Sequence, residues 1–185
     1  MAEDIRVVMI KLADRLHNLR TIQYLKPADQ RRIAQKTMEI YAPLANRLGI
    51  AQIKSELEDL CFKVLYPEEY KWLLSQVNHK YEERIQYLKR VEPIISEELK
   101  KEHVPLERLD FRAKHYWSLY KKLQKYDLDF SKIYDLIAFR IIVPTVPDCY
   151  AALGVIHKLW KPLPGRIKDY IATPKPNGYQ SLHTT

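Results

Sequence analysis

The sequence predicts an α+β fold in which an all-helical part comes first and a part that mixes strands with helices follows. In the first hundred residues apolar side chains recur every three or four positions, for example from Ile5 to Leu19, which is the period of an amphipathic helix. From about residue 105 the pattern changes: residues 109–113 alternate apolar and polar, and residues 134–144 form an apolar run typical of a strand. The 185 residues suffice for one large domain or two small ones.

Four helices are predicted in the first part, and two of them contain a proline. Pro43 and Pro93 lack the amide hydrogen that continues a helix, so we expect Pro43 to kink its helix and Pro93 to bend or split its own. Gly49 is a suitable stop for the second helix. The predicted helices span residues 5–19, 28–48, 53–65 and 68–101.

The second part is predicted to alternate strands and helices. Its elements are a strand at 109–113, a helix at 114–126, a strand at 134–144, a helix at 148–160 and a strand that starts near Ser181.

The positive charge of the chain is concentrated in this second part. The net charge is +8, and residues 104–185 contain 13 Lys and Arg against seven Asp and Glu. Such a surplus indicates an anionic partner, either nucleic acid or a nucleotide with several phosphates. No apolar run approaches the ~20 residues of a membrane helix, the N-terminus lacks a secretory pattern, and Cys61 and Cys149 form no metal-like pair. We therefore expect a cytoplasmic protein without membrane contact.

A polar stripe is predicted along the first helix. Its members stand at steps of three or four and so share one helix face: Lys11, Asp14, Asn18 and Thr21. A carboxylate, an amide and a hydroxyl in register could hold a metal ion and a polar ligand. The alternative is an ordinary solvated helix face.

Basic and hydroxyl side chains also converge around the helix predicted at 114–126. Extended geometry puts Arg112 and Lys114 on one side, and helical spacing puts Lys114, Ser118 and Lys122 on one face. Because like charges at this spacing repel one another, an anionic ligand is a natural reason to place them together. An ordinary basic helix is the alternative.

One carboxylate, Asp135, lies at the start of the predicted strand 134–144, on the face of Ile137 and Phe139. A charge at the head of an apolar strand is costly unless it is paired or lies at the mouth of a site. A cap or a salt bridge is one interpretation. A magnesium ligand is the other, because proteins usually hold Mg²⁺ with carboxylates that share it with substrate phosphates.

The closing stretch surrounds a turn, Pro176–Gly178, with cationic and aromatic groups. Tyr179 follows the turn directly and could present a flat face to a base. The groups that could bind an anion are Arg166, Lys168, Lys175 and His183. The sequence has neither a Walker loop nor a dinucleotide fingerprint, which excludes those two nucleotide-binding folds.

Taken together, these stretches resemble the RelA/SpoT family. RAKHYWSLYKK, YDLIAFRIIV and GRIKDYIATPKPNGYQSLHTT follow the order and spacing of its (p)ppGpp synthetase domain, and KLADRLHNLRT is similar to the last signature of its HD-type hydrolase domain. The resemblance implies the end of an HD domain at 1–50, a helical linker at 51–104, and the first part of a synthetase domain at 105–185. That last segment would hold an incomplete nucleotidyltransferase-like mixed sheet with flanking helices.

The resemblance also implies an activity and a donor site. The family's synthetases are GTP or GDP pyrophosphokinases, which transfer pyrophosphate from ATP to the 3′-hydroxyl of GDP or GTP and make (p)ppGpp in the stringent response. By resemblance, Arg112 stacks on the adenine, Asp135 holds the catalytic Mg²⁺, and the ATP phosphates contact Lys114, Ser118 and Lys122.

The remaining roles concern the acceptor and the hydrolase. The resemblance implies that Tyr179 stacks on the acceptor guanine and that the same nucleotide is contacted by Lys168, Asn177 and His183. In the hydrolase remnant it implies that Asp14 is a ligand of the Mn²⁺ ion and that Asn18 contacts the nucleotide. The RIKD sequence at 166–169 is similar to the version found in bifunctional members.

The family pattern extends past both ends of this sequence. It places the other hydrolase metal ligands upstream, and downstream a glutamate that completes the magnesium site and helps to activate the 3′-hydroxyl. We therefore expect a central fragment that is inactive alone, with ribosome and tRNA contacts only through family regions it lacks. Two alternatives stay open, namely a non-catalytic nucleotide-binding or regulatory module of the same fold and, from the charge alone, an RNA-binding domain.

Overall fold

The computed structural model describes residues 4–133 and 135–185, and it confirms the α+β class. Residues 1–3, which begin the predicted first segment, and Tyr134, which begins a predicted strand, lie outside the described residues. Within the described part, none of the helices combines the length and the apolar character that crossing a bilayer requires.

The predicted helices of the first part all form, and the second is subdivided. Asp4 precedes the first helix and caps it, because its carboxylate accepts a hydrogen bond from the Arg6 amide. The elements are α1 (Ile5–Arg20), a 3₁₀ turn (Ile22–Tyr24), α2 (Pro27–Lys36), a π-helical turn (Thr37–Tyr41), α3 (Ala42–Arg47), α4 (Ala51–Leu65) and α5 (Pro67–Lys101).

The two interior prolines have different effects. Pro43 lies in the first turn of α3, directly after the π-helical turn. Because proline cannot donate to the preceding turn, the helix widens there, and the expected irregularity takes this form. Pro93 lies inside α5, which continues to Lys101 without the expected split. Val91 and Ile95, on either side of it, are buried in a core, and this burial offsets the lost hydrogen bond.

The strands of the second part form two antiparallel pairs among the described residues. In the first pair Phe111 lies opposite Phe139, and in the second Lys168 lies opposite His183. The elements are β1 (Arg108–Ala113), α6 (Tyr116–Gln124), a 3₁₀ turn (Phe130–Lys132), β2 (Ile137–Ile142), α7 (Val146–Leu159), β3 (Lys168–Asp169) and β4 (Leu182–His183).

The position of Asp135 relative to its strand differs from the expectation. Because β2 begins only at Ile137, Asp135 precedes the strand instead of opening it. The chain is nevertheless tied down there, since the amide of Lys114 donates to the carbonyl oxygen of Leu136 at 2.9 Å.

The chain folds as two compact units. The first comprises Met1–Ser75 and His115–Leu128, and the second comprises Gln76–Lys114 and Asp129–Thr185. The core of the first unit is built from residues of α1 to α4: Leu12, Leu16, Leu19, Ile22, Ala34, Ala42, Ala45, Leu57 and Cys61. The core of the second joins α5 and α7: Val91, Ile95, Leu99, Val104, Ala152 and Val155. The boundaries predicted at residues 50 and 104 stay a prediction.

Candidate functional site

The closing stretch, residues 168–183, folds back on itself as a short hairpin. Its strands β3 and β4 pair, and the Tyr170 amide extends the pairing by donating to the Ser181 carbonyl oxygen at 2.9 Å. At its base the Asp169 carboxylate accepts the amides of Ile171 and Ala172 at 2.9 and 2.8 Å. Donation from Ala172, together with the Tyr150 hydroxyl, holds the pKa of Asp169 below its usual value.

The tip of the hairpin is a tight turn whose sequence suits its geometry. The Gly178 amide donates to the Lys175 carbonyl oxygen at 2.8 Å, and the Lys175 amide donates to that of Tyr179 at 3.1 Å. Gly178 has a φ of +75°, a conformation that favours glycine, and the Asn177 side-chain oxygen accepts the Tyr179 amide at 3.2 Å. These bonds fix the backbone that carries Tyr179.

Four side chains of the hairpin form one aromatic and cationic cluster, the hairpin cluster: Tyr170, Lys175, Tyr179 and His183. The Tyr179 hydroxyl and His183 Nε2 are 2.8 Å apart, which is hydrogen-bonding distance. The ring centroids of Tyr170 and His183 are 5.2 Å apart with their planes nearly perpendicular. The Lys175 ammonium lies 4.5 Å from the Tyr170 ring centre and 4.8 Å from that of Tyr179, within cation–π range of both.

The electrostatics of the cluster favour a neutral His183. Partial burial of its ring lowers the pKa of His183, and the positive charges of Lys175, Arg112 and Lys168 lower it further. The rings of Tyr170 and Tyr179 lie nearly perpendicular to the imidazole, and His183 as a whole is exposed. A neutral imidazole can accept a hydrogen bond from Tyr179 and leave the cations available for an anion.

The hairpin brings together all four residues predicted to contact the acceptor. Lys168 and His183 are cross-strand partners, and Asn177 and Tyr179 lie at the turn. Sequence reasoning gave no role to Tyr170 and did not find the position of Lys175 over two rings. The aromatic–cation alternation around the Pro176–Gly178 turn was the available signal, but the register that joins Tyr170 to His183 is a property of the folded hairpin.

A second polar contact of the same unit joins Lys114 and Asp135. The Lys114 ammonium lies 2.6 Å from the Asp135 carboxylate, and both side chains are partly buried. The carbonyl oxygen of Lys114 also accepts the Tyr81 hydroxyl at 2.7 Å, so the backbone of this lysine is held from two sides. The salt bridge left open by the sequence is therefore formed. A carboxylate that is partly exposed beside a cation can still share an Mg²⁺ ion with phosphates, because that ion needs only one or two protein carboxylates.

The other predicted ATP contacts are distributed between the two units. Arg112 is exposed on β1 opposite Ala138, in the second unit with Lys114. Ser118 and Lys122 belong to α6 in the first unit, one helical turn apart on one face.

The predicted hydrolase residues lie on α1. Lys11, Asp14 and Asn18 are all exposed, and Thr21 stands just past the helix end, where its hydroxyl donates to the His17 carbonyl oxygen. A pocket of about 370 Å³ beside this helix is lined by Arg15, Asn18, Thr21, Tyr24, Leu25 and Ile33.

The fit of a metal ion to this region is poor. Across residues 4–133 and 135–185, no three His, Cys, Asp or Glu side chains come together as a metal site would need. The described side chains around Asp14 do not complete an Mn²⁺ site, and its role as one ligand of that ion stays a prediction.

Comparison with known proteins gives matches at both ends of the chain. Residues 111–185 match a family profile described as "Region found in RelA / SpoT proteins", and residues 1–51 match an HD domain profile. All 185 residues align with a GTP pyrophosphokinase of Myxococcus xanthus at 52% identity and with one of Streptomyces coelicolor at 51%, covering 24% and 22% of those proteins. They also align at 48% identity with 25% of the bifunctional (p)ppGpp synthase/hydrolase RelA of Mycobacterium tuberculosis. The chain thus spans about a quarter of the length of these relatives.

Proposed function

Because the chain belongs to the RelA/SpoT family, we propose that it contributes the nucleotide sites of a GTP pyrophosphokinase, which transfers pyrophosphate from ATP to the 3′-hydroxyl of GDP or GTP. The observation that carries this proposal is the hairpin cluster, in which an aromatic face, an imidazole with a lowered pKa and cations lie within one short segment. Such a combination suits a ligand that has both a flat base and phosphates.

In the acceptor site, the Tyr179 ring stacks on guanine while Lys168 and His183 contact the phosphates or the ribose. Asn177 already accepts the Tyr179 amide, so its role is to hold the turn as well as to offer its amide group to the nucleotide. The Tyr179 hydroxyl bonded to His183 orients the imidazole, so base stacking and phosphate contact are coupled through one hydrogen bond.

In the donor site, Arg112 stacks on adenine, and the phosphates of ATP take contacts from Lys114, Ser118 and Lys122. Asp135 would hold the Mg²⁺ ion, which when bound neutralises phosphate charge. The 2.6 Å contact with Lys114 holds the carboxylate in place before substrate arrives. When ATP binds, the Lys114 ammonium exchanges the Asp135 carboxylate for a phosphate of ATP as its partner. In this reaction the 3′-oxygen of the acceptor bonds to the β-phosphorus of ATP, and AMP leaves.

The HD part contributes a second nucleotide contact, Asn18, whose pocket beside α1 has the size of a small ligand site. Relatives named as pyrophosphohydrolases, such as that of Aquifex aeolicus, support a hydrolytic role for a longer protein. Residues 1–185 by themselves are proposed to catalyse neither reaction. The protein is proposed to work in the cytoplasm, where ATP and GTP are its substrates.

The test is product analysis with the protein at its natural length, given ATP, GDP and Mg²⁺. We expect AMP and a guanosine nucleotide with a 3′-pyrophosphate in equal amounts. ADP in place of AMP would contradict pyrophosphate transfer. A non-catalytic nucleotide module would bind ATP and GDP and form no product, and an RNA-binding domain would bind RNA with an affinity that falls steeply with salt.

A further inference from the structure

The start of helix α6 is capped by a residue of α4. The Asp59 carboxylate accepts the backbone amide of Trp117 at 2.9 Å through one oxygen. Its other oxygen lies 3.1 Å from Nδ1 of His115, the residue that precedes the helix. The side chain of His115 itself makes no capping hydrogen bond to α6. A carboxylate 58 positions away in sequence therefore does what a neighbouring side chain usually does.

Two further sets of contacts attach α6 to α4 and to Tyr66, the residue that follows α4. The Phe62 ring lies 5.1 Å from Trp117 and 5.0 Å from Tyr120, and the Tyr66 ring is stacked 5.6 Å from Trp117. Next to Asp59, the buried Glu58 lies 3.5 Å from the Lys121 ammonium. The attachment thus extends from the first turn of α6 to its middle.

The attached face of α6 is not the face with the predicted ATP contacts. At 100° per residue, Trp117, Tyr120 and Lys121 lie on one side, whereas Ser118 and Lys122 lie together on another. Leu119 and Leu123 are buried between these sides. Fixing the side toward α4 therefore sets the direction of Ser118 and Lys122.

We propose that Asp59 is a positioning residue for ATP: by capping α6 it holds Ser118 and Lys122 in the orientation that binds the ATP phosphates. This inference rests on the proposed function, because it takes ATP as the ligand of these two side chains. Asp59 touches no nucleotide in this scheme. It acts through the helix, and it couples α4, which follows the part of the chain that matches the HD profile, to the donor nucleotide.

The physical reason is the shortness of α6. A helix of nine residues is below the length that is stable in isolation, so its ends depend on tertiary contacts. Without the carboxylate the amide of Trp117 loses its partner and the first turn frays. Ser118 belongs to that turn, whereas the contacts of Phe62 with Tyr120 and of Glu58 with Lys121 keep the rest of the helix attached.

The experiment compares three variants in the protein at its natural length. Asp59→Ala removes the cap, and Asp59→Asn keeps an oxygen that can accept the Trp117 amide, since asparagine caps helices about as well as aspartate. Glu56→Ala is the matched control, because it removes a carboxylate of the same helix that pairs with Arg20 instead of α6. Initial rates at varied ATP and varied GDP give KM for each substrate, and hydrogen exchange reports the amides of α6.

We expect Asp59→Ala to raise KM for ATP about fivefold and to leave KM for GDP within a factor of two. Asp59→Asn and Glu56→Ala should stay near the wild type for both substrates. Hydrogen exchange of the backbone amides in the first turn of α6 should become faster in Asp59→Ala only. A fall in kcat with both KM values unchanged would mean lost folded protein and would overturn the proposal.

Other results separate this inference from the function on which it rests. Faster α6 exchange in Asp59→Ala with an unchanged KM for ATP overturns the inference and leaves the proposed function intact. If the wild type forms no product with ATP, the proposed function fails, and the assignment of Asp59 to ATP fails with it, whatever the exchange shows. Equal rises of KM for ATP and GDP would also overturn it.

Discussion

The closing hairpin and helix α1 carry the two predicted guanine-nucleotide sites, but they differ in whether the predicted side chains contact one another. In the hairpin, Tyr179 and His183 are four residues apart and already hydrogen-bonded. On α1, Asp14 and Asn18 are also four residues apart, yet both are exposed on one helix face. The same sequence spacing therefore gives a connected cluster in one region and separate side chains in the other.

This difference follows from how a hairpin and a helix place side chains that are close in sequence. A turn lets side chains a few residues apart face each other, so the hairpin builds most of a binding surface from its own sequence. A helix projects its side chains outward, so a site on α1 needs ligands from other elements. We therefore expect variants in the hairpin to change nucleotide binding directly, and variants on α1 to leave synthesis unaffected.

The largest effect is expected at Asp135, whose partner Lys114 comes from a different part of the chain. Asp135→Asn keeps the shape of the side chain and removes the charge that would hold Mg²⁺ against the phosphates. In the protein at its natural length it should lower the rate of synthesis by at least about 100-fold while GDP affinity changes little. Product formation and GDP titration measure the two quantities.

Asp129→Asn provides the control for this change, because Asp129 is a nearby carboxylate that caps the 3₁₀ turn at Phe130–Lys132. It should keep most of the activity. Near-normal turnover by Asp135→Asn would show that the contact with Lys114 is structural and that any metal lies elsewhere.

The next effect concerns the ring of Tyr179. Loss of base–aromatic stacking costs ~1–3 kcal/mol of binding free energy. Tyr179→Ala should therefore weaken GDP binding about tenfold or somewhat more and leave ATP binding nearly unchanged. Tyr179→Phe should be milder, because it keeps the ring and loses only the hydrogen bond with His183. Separate titrations with GDP and with ATP measure the two affinities.

Tyr87→Ala serves as the reference for Tyr179, since Tyr87 is 48% exposed on α5 and has no proposed role. Equal losses of ATP and GDP affinity in Tyr179→Ala, with a lower melting temperature, would identify Tyr179 as a packing residue of the hairpin and remove it from the acceptor site.

The hairpin also shows how far sequence reasoning reaches. The Asn177–Gly178 turn was predictable, because those two residue types have local conformational preferences. The positions of the helices were predictable from apolar spacing, as α1 and α4 illustrate. The capping of α6 by Asp59 was not, because 58 residues separate the partners and no local pattern encodes the contact. The π-helical turn before Pro43 was foreseen only as a kink, since sequence spacing does not reveal which hydrogen-bond pattern relieves the strain.

The lowered pKa of His183 should make the stability of the folded chain depend on pH. The unfolded chain takes up this proton near pH ~6.5, whereas the folded chain resists it until the pH is lower. Above about pH 7 the imidazole is neutral in the folded and the unfolded chain, so His183 does not change the free energy of unfolding. As the pH falls below ~6.5, the unfolded chain binds the proton more readily and the free energy of unfolding decreases.

Urea unfolding of the chain between pH 5 and 8 tests this sign. His183→Gln should flatten the acid side of the stability profile. If the wild type gained stability on acidification and this gain disappeared in His183→Gln, the imidazole would be protonated in the folded hairpin, contrary to our account.

The smallest effect is expected from Asn18→Ala. Because Asn18 lies beside the α1 pocket and not in the hairpin, this variant should change the rate of synthesis and KM for GDP by less than about twofold. Any effect should fall on (p)ppGpp hydrolysis by the protein at its natural length. A tenfold rise of KM for GDP would contradict the prediction that α1 takes no part in binding the acceptor for synthesis.

The central claim is that the hairpin cluster receives the acceptor guanine nucleotide, and a GDP titration followed by NMR tests it most directly. With the rings of Tyr179 and His183 as reporters and Tyr87 as the reference, GDP should produce saturable shifts in both reporters and not in the reference. ATP at the same concentrations should shift them far less. Reporters that remain unmoved at saturating GDP, or that respond equally to ATP, would contradict the account.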